Sequence, residues 1–357
     1  MQSEQLIFGP PGCGKTYTLM EIIQKELEQG TPPDRIAFVS FSRKSIQEAR
    51  ERAGSAFALQ EKDTPYFRTL HSMGFQLLGL RKEEIIGIYD LKQLGAEMGM
   101  VFDTKNVYDD DGVLQLSAKE GNKYLTLINR AHMRCVSLEQ EYNDNGDHNI
   151  KWPLLEKLNS VYANYKQEEG KYDFTDMIRL MVDKNLAPRI EVLIVDEAQD
   201  LTPLQWEQVK VLKRYASRVW YAGDDDQAIF RFTGVDVRHM LNICKDIRVL
   251  DQSYRVPQAV HNLAAKLARQ ISVRQPKEWN PTSHEGQIHH HMSAEEIDMT
   301  QGSWTLMSRT VKNLNILGDR LRGEGIIYTK NGALSFDQSL LNSMSVWETL
   351  QKGEMIT

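Results

Sequence analysis

The sequence predicts an α/β fold with a parallel sheet, and three observations support this prediction. Short apolar segments alternate with segments of helical periodicity from the amino terminus onward, which is typical of parallel strands joined by helices. Several apolar segments run directly into glycine-rich or acidic clusters, as expected where the strands of an open sheet end at a ligand site. The 357 residues are 41% hydrophobic, so the chain can bury more than one core, and we expect two or three domains.

The first elements follow from apolar periodicity and its interruptions. Residues 5–8 are short and apolar and lead into glycines, whereas residues 15–29 carry apolar side chains at helical spacing. Gly30 and the prolines after it end this helix. Residues 36–40 (IAFVS) predict a buried strand and residues 44–52 a second helix. The order strand, loop, helix, strand, helix indicates parallel pairing.

The middle of the chain changes character. Residues 79–170 form helical stretches separated by polar loops, such as residues 109–112, and predict a helical domain inserted into the α/β core. Strand candidates then recur at residues 192–195, 219–222 and 248–250, each followed by polar residues. The sheet therefore resumes after the insertion.

The last third of the sequence predicts the beginning of a second α/β lobe. A helix is expected at residues 257–271 and another at residues 311–323. Strands are expected at residues 287–291, 304–307 and 326–329. Because alternate residues of a strand point to opposite faces, the three histidines at 289–291 are expected to be exposed rather than to bind a metal.

The strongest chemical signal is a glycine-rich segment between the first strand and the first helix. It fits the pattern G-x-x-x-x-G-K-[ST], whose backbone N–H groups surround phosphates. Lys15 would neutralise the β and γ phosphates, and the Thr16 hydroxyl would ligate Mg²⁺. A chance glycine-rich turn is the alternative. The cofactor-binding residues predicted here are Gly9, Pro10, Pro11, Gly12, Cys13, Gly14, Lys15 and Thr16.

A second signal is the segment VLIVDEAQD, in which an apolar strand ends in two adjacent acids. Asp196 would hold Mg²⁺, and Glu197 would orient and deprotonate the attacking water. The alternative is a solvated acidic start of a helix. Combined with the phosphate-binding pattern, the pair predicts the catalytic half of an ATP site.

A third strand ends in GDDDQ, where Gln227 could hydrogen-bond the γ phosphate. Asp224, Asp225 and Asp226 could be taken for metal ligands. Three successive acids are not expected to face one ion, so we predict that they are loop residues engaged in hydrogen bonds.

These motifs, in this order, resemble those of the UvrD/Rep-type DNA helicases of superfamily 1A, over most of the chain. GPPGCGKT resembles motif I, AFVSFSRKS motif Ia, RTLHSMGFQLL motif Ib and YDFTDMI the segment before motif II. VDEAQDLTPLQ resembles motif II, GDDDQAIFRFTGVD motif III and LDQSYRVPQAV motif IV. TLMSRTVKNLNILGDRLRGEGIIY resembles the early second lobe of that family.

The resemblance implies a RecA-like P-loop NTPase sheet, an inserted helical domain and the start of a second RecA-like lobe. The first lobe would comprise residues 1–78 and 171–250, the insertion residues 79–170, and the partial second lobe residues 251–357. The implied function is an ATP-dependent DNA helicase or translocase that moves 3′ to 5′ on single-stranded DNA. ATP and Mg²⁺ are the implied cofactors.

The resemblance also implies roles for residues outside the nucleotide motifs. Arg255 would be a γ-phosphate cation, and Tyr254 and Tyr17 would stack on the adenine. Phe41 and Phe232 would lie under DNA bases, with core aromatic residues as the alternative reading. His71 would contact the DNA backbone, or equally be a buried, hydrogen-bonded histidine.

Departures from the family leave two other functions open. We find no counterpart of motifs V and VI and no upstream glutamine motif, and Phe232 replaces the usual tryptophan. One alternative is therefore an ATP- and DNA-binding module, or a helicase fragment, whose turnover needs a separate carboxyl-terminal portion. An AAA+ ATPase is the second alternative, disfavoured by the distance between Lys15 and Asp196. Replication or repair proteins would be further partners.

Composition excludes several classes. No apolar run approaches the ~20 residues of a membrane span, so we expect a soluble, cytoplasmic protein without a membrane partner. Cys13, Cys135 and Cys244 are far apart, which predicts neither a disulfide framework nor a zinc site. The net charge of −6 does not decide on nucleic acid, because a single groove can be locally basic.

Overall fold

The computed structural model describes residues 2–103, 119–330, 332–336 and 338–352. The chain divides into two compact units, residues 1–287 and 288–357. The predicted polar loop at residues 109–112 lies outside the described residues. The assignment of residues to two lobes and an insertion stays a prediction.

A six-stranded parallel sheet forms the centre of the first unit, which confirms the predicted α/β class. Its strand order is β3-β2-β4-β5-β1-β6. Five strands correspond to predicted ones, whereas the three-residue β3 was not predicted, because it is too short to show a periodicity. The strands are β1 (Ser3–Phe8), β2 (Ile36–Ser40), β3 (Phe67–Thr69), β4 (Val192–Asp196), β5 (Arg218–Gly223) and β6 (Ile247–Val249).

Helices cover both faces of this sheet, as the alternating side chains of its strands require. In β1, Leu6 and Phe8 enter one hydrophobic core and Ile7 enters the other. The helices of the first unit are α1 (Lys15–Glu28), α2 (Arg43–Phe57), α3 (Leu70–Leu78), α4 (Ile88–Met98), α5 (Glu120–Arg134), α6 (Leu138–Asn145), α7 (Trp152–Glu168), α8 (Phe174–Asp183), α9 (Pro203–Lys213), α10 (Arg238–Leu241) and α11 (Gln258–Ala268).

A third hydrophobic core lies among helices α4 to α7, away from the sheet. Tyr124, Leu125, Leu155 and Leu158 are among its fully buried members. Buried Glu141 in α6 pairs with Arg130 and Arg134 of α5, which fixes α6 against α5. The described part of residues 79–170 thus contains helices α4 to α7, which share a hydrophobic core of their own.

The second unit contains α12 (Val311–Gly323), as predicted, and α13 (Gln338–Gln351). The strand predictions there were wrong. Residues 287–291 and 304–307 form no strand, and residues 326–329 contribute only Thr329 to a short antiparallel pair, β7 (Thr329–Lys330) with β8 (Ala333–Leu334). Short apolar runs do not by themselves specify a strand, which also needs a pairing partner. Trp304 and Leu306 instead line a cavity beside α12.

Candidate active site

The phosphate loop, defined as residues 9–16, connects β1 to α1 and encloses the side chain of Lys15. Gly12 and Gly14 have φ angles of 74° and 79°, which residues with a side chain rarely adopt. The Lys15 ammonium donates to the Gly9 carbonyl at 3.0 Å, and a Cβ atom on Gly9 would lie 1.9 Å from the Lys15 Cγ atom. The absence of a side chain at Gly9 therefore leaves the space that the Lys15 side chain occupies.

The segment after β6 packs directly onto the phosphate loop. The Ser253 hydroxyl donates to the Pro11 carbonyl at 2.7 Å, and the Tyr254 N–H donates to the Gly12 carbonyl at 3.0 Å. A Cβ atom on Gly12 would lie 2.5 Å from the Arg255 Cβ atom. These contacts bring Arg255, which lies 239 to 246 positions away from the loop in sequence, beside it in space. Ser253, which is fully buried, is a contact that sequence reasoning missed.

The acidic pair lies at the carboxyl end of β4, of which Asp196 is the last residue, and β5 separates β4 from β1 in the sheet. Burial and the neighbouring charge of Glu197 raise the pKa of Asp196 to about 7, against the opposing charge of Lys15. The Asp196 Oδ1 atom is buried without a hydrogen-bond partner. Glu197 has a φ angle of 50°, a conformation that costs free energy in residues other than glycine and that is found at functional sites.

Gln199 connects the acidic pair to the loop after β5. Its side-chain amide donates to Glu197 Oε2 at 2.7 Å, and its Oε1 atom accepts from the Asp224 N–H at 3.0 Å. Gly223 allows this approach, since a Cβ atom there would lie 2.5 Å from Gln199 Oε1. Sequence reasoning missed Gln199, which holds Glu197 in place. Asp200 is also buried, and burial raises its pKa to about 7.

The acidic turn, defined as Asp224, Asp225 and Asp226, differs from the expectation that three successive acids would not face one ion. All three carboxylates face one cation, the ammonium of Lys277, with N–O distances of 3.0, 2.6 and 2.8 Å. The single helical turn at Asp225–Gln227 bends the backbone so that successive side chains can converge. Burial by itself would lower the pKa of Lys277. The negative charge of Asp224 and the hydrogen bonds of Lys277 to Asp225 and Asp226 outweigh burial, so the pKa is raised.

Arg274 and Gln227 complete this cluster. Arg274 binds both oxygens of Asp226 at 2.7 Å, and the Gln227 side-chain amide donates to Asp224 Oδ2 at 2.5 Å. No sequence pattern marks Lys277 or Arg274, which lie about 50 residues from the acids that they bind.

The aromatic residues predicted to bind adenine are exposed. Tyr17 follows the phosphate loop on α1 and is 62% exposed, and Tyr254 follows Ser253 and is 78% exposed. Neither ring is needed for packing, so both are free to contact a ligand.

The residues predicted to bind DNA differ in exposure. Phe232 is 46% exposed and lines a groove with four arginines, Arg130, Arg134, Arg231 and Arg238. Phe41 is only 6% exposed and contacts the ring of Phe230. His71 is 4% exposed, and burial lowers its pKa to about 4. A DNA contact by Phe41 or His71 would thus require a rearrangement, and those roles stay predictions.

A magnesium ion fits the chemistry of this edge of the sheet. Asp196 offers a buried carboxylate oxygen without a hydrogen-bond partner, and Thr16 lies in the first turn of α1. Among the described residues, no three His, Cys, Asp or Glu side chains are grouped to hold a metal on their own. Mg²⁺ commonly binds through one or two protein ligands together with phosphates and water, which agrees with such a site.

Comparison with known proteins decides the family. The model of the UvrD/REP helicase N-terminal domain matches residues 1–248. The chain belongs to the UvrD/REP helicase family. This assignment excludes the AAA+ alternative. The described part of this UvrD/REP family member has no helix long and apolar enough to cross a membrane.

Curated relatives within the UvrD/REP family carry the name ATP-dependent DNA helicase PcrA. The protein from Leuconostoc citreum is 25% identical over 312 residues, which cover 82% of this chain and 41% of the relative. The protein from Staphylococcus aureus is 24% identical over 351 residues, covering 91% of this chain and 46% of the relative. The chain thus spans less than half the length of these curated relatives.

Proposed function

We propose that this chain binds Mg-ATP at the carboxyl edge of its sheet, hydrolyses it, and couples hydrolysis to movement on single-stranded DNA. The observation that carries the proposal is the meeting of four loops at this edge. The phosphate loop contacts the segment after β6, and the loops after β4 and β5 are joined by Gln199. The 3′ to 5′ direction is proposed from the family alone.

Each loop contributes one task. Lys15 neutralises the β and γ phosphates, and the backbone N–H groups of the phosphate loop bind their oxygens. Thr16 and Asp196 would hold Mg²⁺, which neutralises phosphate charge when bound. Gln227 and Arg255 face the γ phosphate, where negative charge develops during phosphoryl transfer.

Glu197 is proposed to accept the proton of the attacking water. A general base must be held in a fixed position, and Gln199 supplies this through its 2.7 Å hydrogen bond to Glu197 Oε2. The left-handed backbone of Glu197, with φ 50° and ψ 43°, precedes the short helical turn Ala198–Asp200 that contains Gln199.

The DNA contact is proposed for the groove that Phe232 lines. Arg231 of this groove can attract phosphates, and the Phe232 ring can stack on any base, which suits a protein that moves along a strand. The other three arginines of the groove already pair with carboxylates, Arg130 and Arg134 with Glu141 and Arg238 with Asp236. Tyr254 and Tyr17 are proposed to stack on adenine, because both are exposed beside the phosphate loop.

A second candidate is a module that binds ATP and DNA but needs a further polypeptide for turnover. This candidate is considered because the motifs found in this sequence assign one arginine, Arg255, to the γ phosphate. No residue here matches the arginine that the family resemblance implies in motif VI. A positioned arginine accelerates such reactions by about 10³–10⁵ in NTPases that use one. Turnover by the purified chain with and without single-stranded DNA separates the two candidates.

The central test uses two substitutions and two matched controls. Lys15→Ala should abolish nucleotide binding, whereas Lys25→Ala, an exposed lysine on the same helix, should not change it. Glu197→Gln should retain binding and lose turnover, whereas the exposed Glu28→Gln should retain both. Equal ATP affinity in Lys15→Ala and the unmodified chain, measured by titration calorimetry, would refute the assignment of the phosphate loop.

A further inference from the structure

A buried ion cluster joins the three carboxylates of the acidic turn to Lys277 and Arg274. The side chain of Lys277 is 0% exposed, as is that of Asp225, and the side chain of Asp224 is 1% exposed. An ammonium group has three hydrogens, and here three carboxylates accept them. Burying charges is costly unless every partner is satisfied, so the cluster holds its members in one geometry.

Two hydrogen-bonded paths lead from Lys277 to the proposed reaction site. Asp224 Oδ1 binds Lys277, while Asp224 Oδ2 accepts from the Gln227 side-chain amide at 2.5 Å. The Asp224 N–H donates to Gln199, which in turn donates to Glu197 at 2.7 Å. Fixing Asp224 therefore fixes both Gln227 and Glu197.

Lys277 is also placed against the start of the phosphate loop. Its ammonium lies 5.5 Å from the ring centre of Phe8, the last residue of β1. The neighbouring Asn280 is hydrogen-bonded to the strand-like segment that leads to Arg255, through the Ser253 N–H at 2.8 Å. Lys277 thus contacts the acidic turn and the last residue of β1 directly, and it is connected to Glu197 through Asp224 and Gln199.

We infer that Lys277 is a positioning residue for ATP hydrolysis, which acts through Asp224 to orient Gln227 toward the γ phosphate and Glu197 toward water. Arg274 has a different task, because its ion pair is with Asp226, and among the described residues no hydrogen bond or ion pair joins it to Asp224. This inference rests on the proposed function of the site. ATP differs from ADP by the γ phosphate, which Gln227 and Arg255 are proposed to contact. Lys277 lies outside the nucleotide motifs and would influence this contact through Asp224.

The test measures the affinity ratio of adenylyl imidodiphosphate, a non-hydrolysable ATP analogue, to ADP on the full chain with Mg²⁺. ADP lacks the γ phosphate, so a hydrogen bond from Gln227 to this charged group forms only with the analogue. Loss of such a bond should change the affinity ratio by about tenfold or more. Lys277→Met should lower the ratio to that extent and lower kcat, with little change in ADP affinity. In a Gln227→Ala background, Lys277→Met should lower the ratio no further.

A second variant guards against failure of Lys277→Met to fold. Asp224→Asn retains the volume and leaves two acids opposite Lys277 and Arg274, so the buried charges balance. Asparagine keeps one acceptor oxygen, which cannot serve both Lys277 and Gln227 in the positions of the two carboxylate oxygens, so this variant should also lower the ratio about tenfold. Arg274→Gln is the matched control, since it removes a cation from the same cluster but should leave the ratio within about twofold.

The outcomes are distinct. A wild-type ratio in Asp224→Asn, or in a folded Lys277→Met variant that only loses thermal stability, would show a structural ion cluster and overturn the inference. An equal fall in Arg274→Gln would show a general charge effect and also overturn it. If the unmodified chain bound neither nucleotide, the proposed function itself would fail.

Discussion

Phe232→Ala is expected to weaken binding of single-stranded DNA while leaving the fold largely intact. The ring of Phe232 is 46% exposed and lines the groove that carries four arginines. Its ring lies beside that of Phe230, at 6.1 Å between ring centres. Removing the ring therefore takes away a surface available to a base and little of the hydrophobic core.

The size of the effect follows from base stacking. One stacked base contributes about 1–3 kcal/mol, so the dissociation constant should rise about 5- to 150-fold. Because stacking does not depend on the edges of the bases, oligonucleotides of different sequence should lose affinity by similar factors. The melting temperature should fall by no more than a few degrees.

Phe41→Ala should behave in the opposite way. Phe41 is 6% exposed and belongs to the core on one face of the sheet. Truncation of a buried phenylalanine costs about 3–5 kcal/mol, which corresponds to a fall in melting temperature on the order of 10 °C for a unit of this size. Its effect on DNA binding should be visible only if DNA uncovers the ring.

The assay combines fluorescence anisotropy on labelled single strands with thermal unfolding of each variant. Tyr215→Ala is a matched control, because Tyr215 has the same exposed fraction as Phe232, 46%, but follows α9 near the amino end of β5. Unchanged DNA affinity in Phe232→Ala, or an equal loss in Tyr215→Ala, would refute the assignment of this groove.

Three further predictions concern the site, the helical region and pH. Gly12→Ala should abolish nucleotide binding, because its Cβ atom would overlap the Cβ atom of Arg255. Gly30 has a similar positive φ angle but lies in open space, so Gly30→Ala should lower the free energy of unfolding by only about 1 kcal/mol and leave binding unchanged. Glu141→Gln should reduce the free energy of unfolding by on the order of 3 kcal/mol in denaturant titration, because it leaves two arginines without their buried partner, and the exposed Glu139→Gln should have little effect. Burial lowers the pKa of His71 from its usual 6.5 to about 4 in the folded chain, so the unfolded chain takes up a proton at higher pH than the folded chain does. The free energy of unfolding should therefore fall as the pH is lowered from 6.5 toward 4. In denaturant titrations, His71→Gln should show a less steep fall over this pH range.

Local patterns of the sequence determined most of the first unit. The phosphate loop and its helix lie within some 20 consecutive residues, so backbone freedom at Gly12 and Gly14 and the position of Lys15 can be inferred without tertiary information. Buried parallel strands are nearly continuous apolar runs, which is why β2 and β4 were predicted almost to the residue. The order of the motifs determined the family.

Tertiary structure decided which distant residues meet. Lys277 and Ser253 have no local signature, because their partners lie about 50 and 240 residues away in sequence and approach only when the strands align in order. The same holds for exposure: Phe41 and Phe232 are alike in sequence, but packing against a sheet face buries the first and leaves the second at a groove. The predicted strands of the second unit were wrong for a related reason. A strand is defined by a hydrogen-bonded partner, and the composition of a short apolar run does not specify one.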